Sequence, residues 1–322
     1  MPDTRELHVV FGAGQVGPLL ARHLAAAGKR VRLVRRSAQT RTIDGVELTR
    51  ADVADATAAA TVASDAAVVY HCINPAVYST KVWSAELPRV QDNLIHAAAR
   101  AGARLVVLNN VYALGRTHGR PMSETTPYNP YSKKGEIRAQ LQERLDAAVK
   151  RGDVRAVTGR ASDFYGPGGV GTHFAERFWK PVLAGKPAAM VVNPDTLHSY
   201  HYIPDVAAGL AALGTDAEAE GIYMLPCQPA ETTRALATRL AAALDHTVTV
   251  SRMSPLLLKV LSFAMPIVRE LGEMSYQWEE SFVVDDAKFR ARYGALVTVA
   301  DEAARTTAEW GRALVTPARM AA

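Results

Sequence analysis

The sequence predicts an α/β protein whose first half forms a doubly wound parallel sheet. Short apolar runs alternate there with segments of helical periodicity, which is the pattern of a sheet covered on both faces by helices. The first apolar run leads directly into a glycine-rich turn at residues 12–17. After about residue 165 the alternation becomes irregular and loop-forming Gly and Pro accumulate. We therefore expect a first domain at 1–165, with 196–215 returning to it, and a smaller α/β lobe at 166–322.

The individual elements follow from apolar runs and their breakers. Strands are predicted at 7–11, 31–34, 46–48, 66–72 and 104–108, and helices at 16–27, 54–63, 87–101 and 131–148. Strands linked by helices imply parallel pairing with right-handed crossovers. In the second half, helices are predicted at 230–244 and 301–314, and a buried or interface helix at 255–268.

Composition indicates an ordinary globular chain. It has 322 residues, of which 48% are hydrophobic and 21% charged, so it can bury a sizeable core without disulfide or metal staples. The net charge of +5 is dispersed, and the longest basic runs are the pairs Arg35-Arg36 and Lys133-Lys134. Because nucleic-acid surfaces are usually clustered patches, we expect no nucleic-acid partner.

Location and metal content are also constrained by the sequence. Cys72 and Cys227 lie far apart without metal-ligand spacing, which favours two reduced thiols and no metal site. The first residues do not form a basic-then-apolar leader. The most apolar stretch, 255–268, is interrupted by Lys259 and Pro266 and is too short to span a bilayer. We therefore expect a cytoplasmic protein with no membrane partner.

The glycine-rich turn has the GxGxxG spacing of a dinucleotide-binding, Rossmann-type fold. The first glycine permits the tight turn, the second lets the backbone approach a pyrophosphate, and the third allows close packing of helix on strand. The motif directly follows a predicted strand and directly precedes a predicted helix, which makes it far more specific than the spacing alone. The residues predicted to hold the pyrophosphate are Gly12, Gly14, Gln15, Val16 and Gly17.

The end of the second strand predicts which dinucleotide is bound. NAD sites usually place a carboxylate there, whereas this chain has Arg35 and Arg36 and no acid until Asp44. A guanidinium can bind a 2′-phosphate that a carboxylate would repel, so we expect NADP(H), with NAD less favoured. The alternative is that one or both arginines are only solvated. Asp52 and Val53, after the third strand, are candidates to accept from the adenine amino group.

Several further motifs resemble the short-chain dehydrogenase/reductase superfamily, and in particular its extended and atypical branch of NAD-dependent epimerase/dehydratase proteins. Besides the glycine turn, the motifs that carry the resemblance are LVVLNNVY at 105–112, the segment 127–135, RASDFYGPG at 160–168 and HYIPDVA at 201–207. The resemblance covers nearly the whole chain. It implies one Rossmann domain, a smaller C-terminal substrate lobe and often a homodimer built on two helices per subunit.

Redox members of that superfamily use a Tyr as acid/base, with a Lys four residues later that favours the phenolate and an upstream Ser or Thr that polarises the substrate oxygen. This chain departs at both places. Asn109 or Asn110 occupies the Ser/Thr position, and an amide can still donate to an oxyanion. The position four after Tyr131 is Gly135, so the candidate partner is Lys134 at three. If Lys134 is the true equivalent, Pro130 occupies the Tyr position and the phenol is lost.

We therefore take Tyr131, Lys134 and Asn110 as the candidate catalytic residues. Strand ends at the carboxyl edge predict that Cys72, Asn74 and Asn109 line the cofactor. The resemblance adds Asp163 and Phe164, in a loop that borders the nicotinamide in the family.

The expected function is an NADP(H)-dependent oxidoreductase or epimerase acting on a small carbonyl or hydroxyl compound. The alternative is a catalytically degraded protein that binds NADP(H) and reports redox state. A homodimer is expected through apolar residues of helices 87–101 and 131–148, although these stripes could equally pack inside one subunit. Those residues are Leu94, Ala97, Ala98, Ile137, Leu141 and Leu145.

Overall fold

The central element of the computed structural model, which describes residues 5–37 and 42–316, is a seven-stranded parallel sheet. Its strands in chain order are β1 (Leu7–Phe11), β2 (Arg30–Arg35), β3 (Val46–Arg50), β4 (Ala66–His71), β5 (Arg104–Asn110), β6 (Arg155–Ala161) and, later in the chain, β11 (Gly221–Met224). Their spatial order is β11-β6-β5-β4-β1-β2-β3, and every neighbouring pair is parallel. The order reverses between β1 and β4, so the predicted doubly wound α/β fold is confirmed.

The remaining strands are short and pair in twos. They are β7 (Phe164–Tyr165) with β10 (His201–Tyr202), β8 (Ala188–Met190) with β13 (Val250–Arg252), and β9 (Leu197–His198) with β12 (Glu231–Thr232). The α-helices are α1 (Gly17–Ala26), α2 (Ala56–Val62), α3 (Thr80–Ala101), α4 (Lys133–Lys150), α5 (Glu176–Leu183), α6 (Ile203–Thr215), α7 (Thr233–Ala242), α8 (Pro255–Ala264), α9 (Pro266–Gly272), α10 (Ala287–Tyr293) and α11 (Ala300–Val315).

The starts of α3 and α4 differ from those expected. Helix α3 begins at Thr80, seven residues before the predicted start, and contains Pro88. Proline removes one backbone donor, but the carbonyl that loses its partner belongs to Ser84, which is an exposed residue. Helix α4 begins at Lys133 because the hydroxyl of Ser132 accepts a hydrogen bond from the Gly135 N–H at 3.0 Å and caps the helix. Tyr131 therefore lies before the helix.

The apolar residues of α3 and α4 that were expected at a dimer interface are buried within the chain itself. Leu94, Ala97 and Ala98 pack on the sheet together with Leu145, while Ile137 and Leu141 pack against Trp83. Their burial removes them from any surface that a second subunit could contact. The alternative, that the stripes pack inside one subunit, is confirmed.

The chain divides into two compact units. The first contains 1–115, 127–161 and 206–225, and the second contains 116–126, 162–205 and 226–322. In the first unit, the buried Arg104 at the start of β5 donates to the carbonyl groups of Leu213, Gly214 and Ala219 at 2.6–3.0 Å. This arginine ties the end of α6 and the residues before β11 to the sheet.

In the second unit, α5 and α11 approach closely. A Cβ on Gly311 would lie 2.2 Å from the indole of Trp179, so only glycine fits there. Helices α8 and α9 replace the single helix expected at 255–268. Val268 is buried, but several of their apolar side chains are exposed, and Phe263 is 85% exposed. Among the residues that the structure describes, no helix is long and apolar enough to cross a membrane.

Candidate functional site

The glycine-rich turn is compressed at its first and third glycines and open at its second. Gly12 has φ +111°, and a Cβ on it would lie 2.6 Å from the carbonyl oxygen of Cys72. A Cβ on Gly17 would lie 1.8 Å from the carbonyl oxygen of Gly12. A Cβ on Gly14 would meet no atom within 4 Å. The space that a pyrophosphate needs is therefore left at the position where the backbone has to approach it.

Helix α1 presents its N-terminus at the same turn. Val16 is the N-cap residue and makes no side-chain cap, and the first turn carries no acid. Helix N-termini with unsatisfied N–H groups attract anions. The chemistry of this turn therefore fits the diphosphate of a dinucleotide, held by backbone groups of residues 12–17, with Gln15 at its centre.

The basic end of β2 has the groups expected for a phosphate but no carboxylate. Nη2 of Arg35 donates to the hydroxyl of Ser37 at 2.7 Å, and Arg36 is exposed. Beside them, the Arg50 guanidinium donates to the carbonyl of Arg36 at 3.0 Å. Asp52 is used partly in a local turn, because its carboxylate accepts from the N–H of Ala54.

Two asparagines end β5, and the structure gives them different surroundings. Asn109 is buried, and both ends of its amide bond to the protein: Oδ1 accepts from the Asn110 N–H at 2.8 Å and Nδ2 donates to Gln142. In Asn110, Oδ1 accepts from the N–H of Tyr112 at 3.1 Å, and Nδ2 has no partner in the described part of the chain. Asn110 therefore keeps a donor for a ligand oxygen, whereas Asn109 mainly holds this edge of the sheet together.

The two side chains of the predicted Tyr–Lys pair differ in burial. Tyr131 is 59% exposed, whereas Lys134 is completely buried. Nζ of Lys134 donates to the Thr80 hydroxyl at 3.0 Å and lies 4.8 Å from the centre of the Tyr78 ring. Because α4 starts at Lys133, the helical spacing that would place Tyr131 beside Lys134 does not apply.

Sequence reasoning did not identify the aromatic and cationic groups that surround Lys134. Arg138, one helical turn further along α4, stacks on Trp83, and the hydroxyl of Tyr78 lies 3.4 Å from that of Tyr112. The sequence feature that could have indicated this cluster is the spacing of Lys134 and Arg138, which lie four residues apart on one face of the helix. Their partners come from the segment after β4, which no local pattern connects to α4.

At the end of β4, His71 is buried and Cys72, which follows it, is partly buried. Burial, with a smaller contribution from the Arg138 charge, lowers the pKa of His71 to about 3, and its Nδ1 accepts from the Ile73 N–H at 3.2 Å. Burial also raises the pKa of Cys72 to about 12, so this thiol is not a nucleophile near neutral pH. His71 and Cys72 thus shape the edge of the sheet without titrating at neutral pH.

Asp163, in the second unit, has three side-chain nitrogens close to one of its oxygens. Its Oδ2 accepts from the Trp278 indole N–H at 2.8 Å and lies 3.2 Å from Nε2 of His198 and 3.6 Å from Nε2 of His173. Burial alone would raise the pKa of this carboxyl, but the neighbouring His173 and His198 outweigh it and hold the pKa well below the usual range. Phe164 follows in β7, half-buried and paired with His201.

Comparison with known proteins supports the same fold. The structure is similar to UDP-glucose 4-epimerase of Thermus thermophilus in complex with NAD, at a TM-score of 0.73 and 22% identity, covering 95% of this chain and 99% of that one. It is also similar to UDP-N-acetylglucosamine 4-epimerase of Bacillus cereus, at a TM-score of 0.77 and 13% identity over 95% and 96% of the two chains. The UDP-glucuronic acid 4-epimerase of Bacillus cereus, in complex with NAD, gives 0.76 and 16% over 96% and 100%.

No curated protein matches the sequence significantly. The model of the NAD-dependent epimerase/dehydratase family, however, matches residues 8–225, which include the glycine turn, both asparagines of β5 and Lys134. This match covers most of the chain and agrees with the order of the strands. The chain therefore belongs to the NAD-dependent epimerase/dehydratase family.

Proposed function

We propose that this chain is an NADP(H)-preferring oxidoreductase or epimerase of the short-chain dehydrogenase/reductase type, acting on a small carbonyl or hydroxyl compound. The observation that carries the proposal is the glycine turn, tight at Gly12 and Gly17 and open at Gly14, at an uncapped helix N-terminus. Family membership supports an enzyme, and neither observation identifies the substrate.

The preference for NADP(H) rests on this chain's own residues, since the similar solved structures named with a cofactor hold NAD. Arg35 and Arg36 stand at the end of β2, where a 2′-phosphate would lie. In the proposed site, Asp52 and Val53 border the adenine, Cys72, Asn74 and Asn109 border the path of the dinucleotide, and Asp163 and Phe164 border the nicotinamide.

A bound nicotinamide supplies the hydride exchange with the substrate carbon. In the proposed mechanism, Asn110 donates through Nδ2 to the substrate oxygen, which stabilises negative charge that develops there. Tyr131 gives or takes the proton of that oxygen, and the buried Lys134 provides positive charge.

Cofactor titration tests the proposal. NADPH is expected to bind more tightly than NADH by about 10- to 150-fold, the value of one good charge-assisted contact. Arg35→Ala removes that contact, so it should weaken NADPH binding and leave NADH binding nearly unchanged. Arg22→Ala, an exposed arginine on α1, is the control for the change in net charge. Equal affinity of the wild type for the two cofactors would contradict the NADP(H) preference.

A second candidate function is binding of NADP(H) without turnover, as a redox sensor. The observation that favours it is the separation of an exposed Tyr131 from a buried Lys134. Cofactor oxidation or reduction in a broad screen of carbonyl and hydroxyl compounds would decide for the enzyme. Tight NADPH binding without turnover of any compound would decide for the sensor.

The proposed assembly is a homodimer, and the proposed location is the cytoplasm. The dimer rests on the family resemblance, since the six apolar residues first expected at the interface are buried inside the chain. The location rests on the two cysteines, which are free thiols. A small-molecule substrate, rather than nucleic acid or membrane, is the proposed partner.

A further inference from the structure

Arg138 is a buried cation that pairs with no carboxylate in the described residues. It is 7% exposed, and its guanidinium lies 4.8 Å from the centre of the Trp83 ring. Burial lowers its pKa to about 10, with the phenols of Tyr112 and Tyr78 acting in the opposite direction. A guanidinium is costly to bury without a counter-ion, so its hydrogen-bond partners indicate what it does.

Those partners are the side-chain oxygens of two asparagines at the carboxyl edge of the sheet. Nη2 of Arg138 donates to Oδ1 of Asn74 at 2.7 Å, and Nη1 lies 3.5 Å from Oδ1 of Asn109. A guanidinium has donors only, so the amide oxygen of Asn74 has to face it. The opposite end of the exposed Asn74 amide, Nδ2, has no partner within residues 5–37 and 42–316.

The position of Asn74 connects it with the glycine turn. It lies two residues after Cys72, whose carbonyl oxygen limits the space at Gly12. β4, which leads to Asn74, is the neighbour of β1 on the side where the strand order reverses. Ligands of doubly wound sheets bind outside this edge. An oriented amide with free N–H groups at this place is a donor for the oxygens of a bound dinucleotide.

We propose that Arg138 is a positioning residue of the dinucleotide site, which acts by fixing the Asn74 amide so that its Nδ2 hydrogens bind an oxygen of the cofactor. This proposal rests on the proposed dinucleotide binding. It adds Arg138 to that site and assigns the contact with the cofactor to Nδ2 of Asn74. Asn110, whose oxygen is bound by the Tyr112 N–H, shows the same principle on the neighbouring strand.

The test is the affinity for NADPH alone, measured by fluorescence titration without a substrate. Asn74→Ala removes the donor and should weaken binding by about 2- to 13-fold, the value of one hydrogen bond. Asn74→Asp keeps an oxygen for Arg138 but replaces the N–H groups by negative charge, so it should weaken binding at least as much. Arg138→Met should weaken it to a similar extent, and Arg138→Lys should restore part of the loss. Lys150→Met, at an exposed position in the last turn of the same helix, should leave the affinity unchanged.

A double-mutant cycle separates positioning from a direct effect of the Arg138 charge. If Arg138 acts through Asn74, the double variant Asn74→Ala/Arg138→Met binds NADPH no more weakly than the single variant with the lower affinity. Additive losses, or wild-type affinity in Asn74→Asp or in folded Arg138→Met, would overturn the inference. If Arg138→Met does not fold, Arg138→Lys and the Asn74 variants decide. Failure of the wild type to bind either dinucleotide would overturn the proposed function itself, which distinguishes the two failures.

Discussion

Tyr131 and Lys134 show that residues close in the sequence can differ strongly in burial. The proposed acid, Tyr131, is 59% exposed and lies just before α4, whereas its proposed partner, Lys134, is completely buried. Removal of a general acid costs about 10²- to 10⁴-fold in rate. Tyr131→Phe deletes only the hydroxyl, so we expect that loss in kcat with nearly unchanged NADPH affinity. Near-full turnover by this variant on a compound that the wild type converts would assign the proton to another group, and Tyr112→Phe would be measured next.

A second prediction at the scale of single residues concerns Asp163 and the pH dependence of stability. Its pKa in the folded protein lies below the ordinary value, so its ionised form stabilises the fold above about pH 4. That contribution is lost as the pH falls through the folded-state pKa. Asp163→Asn should therefore lower the free energy of unfolding at pH 5, and the difference from wild type should shrink below about pH 4.

Urea unfolding at several pH values measures this difference. Asp153→Asn, at an exposed ion pair with Arg151, is the control and should change stability by at most about 1 kcal/mol. A deficit of Asp163→Asn that persists unchanged to pH 3 would show that the carboxylate is not held ionised by His173 and His198.

At the scale of single elements, the glycine turn separates folding from binding. Gly14→Ala places a methyl group where no atom lies within 4 Å, so stability should hardly change while NADPH binding weakens. Gly17→Ala places the methyl group 1.8 Å from the carbonyl of Gly12, so the turn has to move and both stability and binding should fall. Thermal unfolding and NADPH titration of the two variants check the contrast. Equal destabilisation by both would mean that Gly14 is needed for folding rather than for a ligand.

The elements also show what could be predicted from the sequence. Strands β1, β2, β3, β4 and β5 were predictable because each contains a short run of apolar residues bounded by polar residues or glycine. The start of α3 was not predictable, since a proline such as Pro88 usually marks the beginning of a helix. Only the exposure of Ser84 shows why the proline is tolerated inside the helix. At the site, the glycine turn depends on neighbours in the chain. The contact of Arg138 with Asn74 joins two segments that only tertiary packing brings together, so no local pattern reveals it.

At the scale of the whole molecule, the prediction concerns the oligomeric state, which the mass in solution measures. One chain has a mass of 34.7 kDa, so the proposed homodimer should give twice that value by light scattering at micromolar concentration. The apolar residues of α3 and α4 are used inside the chain, so an interface there would rest on exposed polar groups such as Asp92 and Arg144. Charge reversal at Arg144 should then favour the monomer. A wild-type mass equal to one chain would contradict the dimer.

The attachment of α6 and β11 to the sheet by Arg104 has a consequence for the order in which the ribosome makes this protein. The sheet needs β11 beside β6, yet the whole segment 162–205 of the second unit is synthesised between them. Translation from Ala161 to Gly221 takes about 3 to 12 s at 5–20 residues per second. Throughout that interval β6 has no partner strand on its outer side, and Arg104 lacks its carbonyl acceptors until residues 213–219 have been made. The nascent chain is therefore most exposed to misassociation after six strands have emerged and before the seventh arrives.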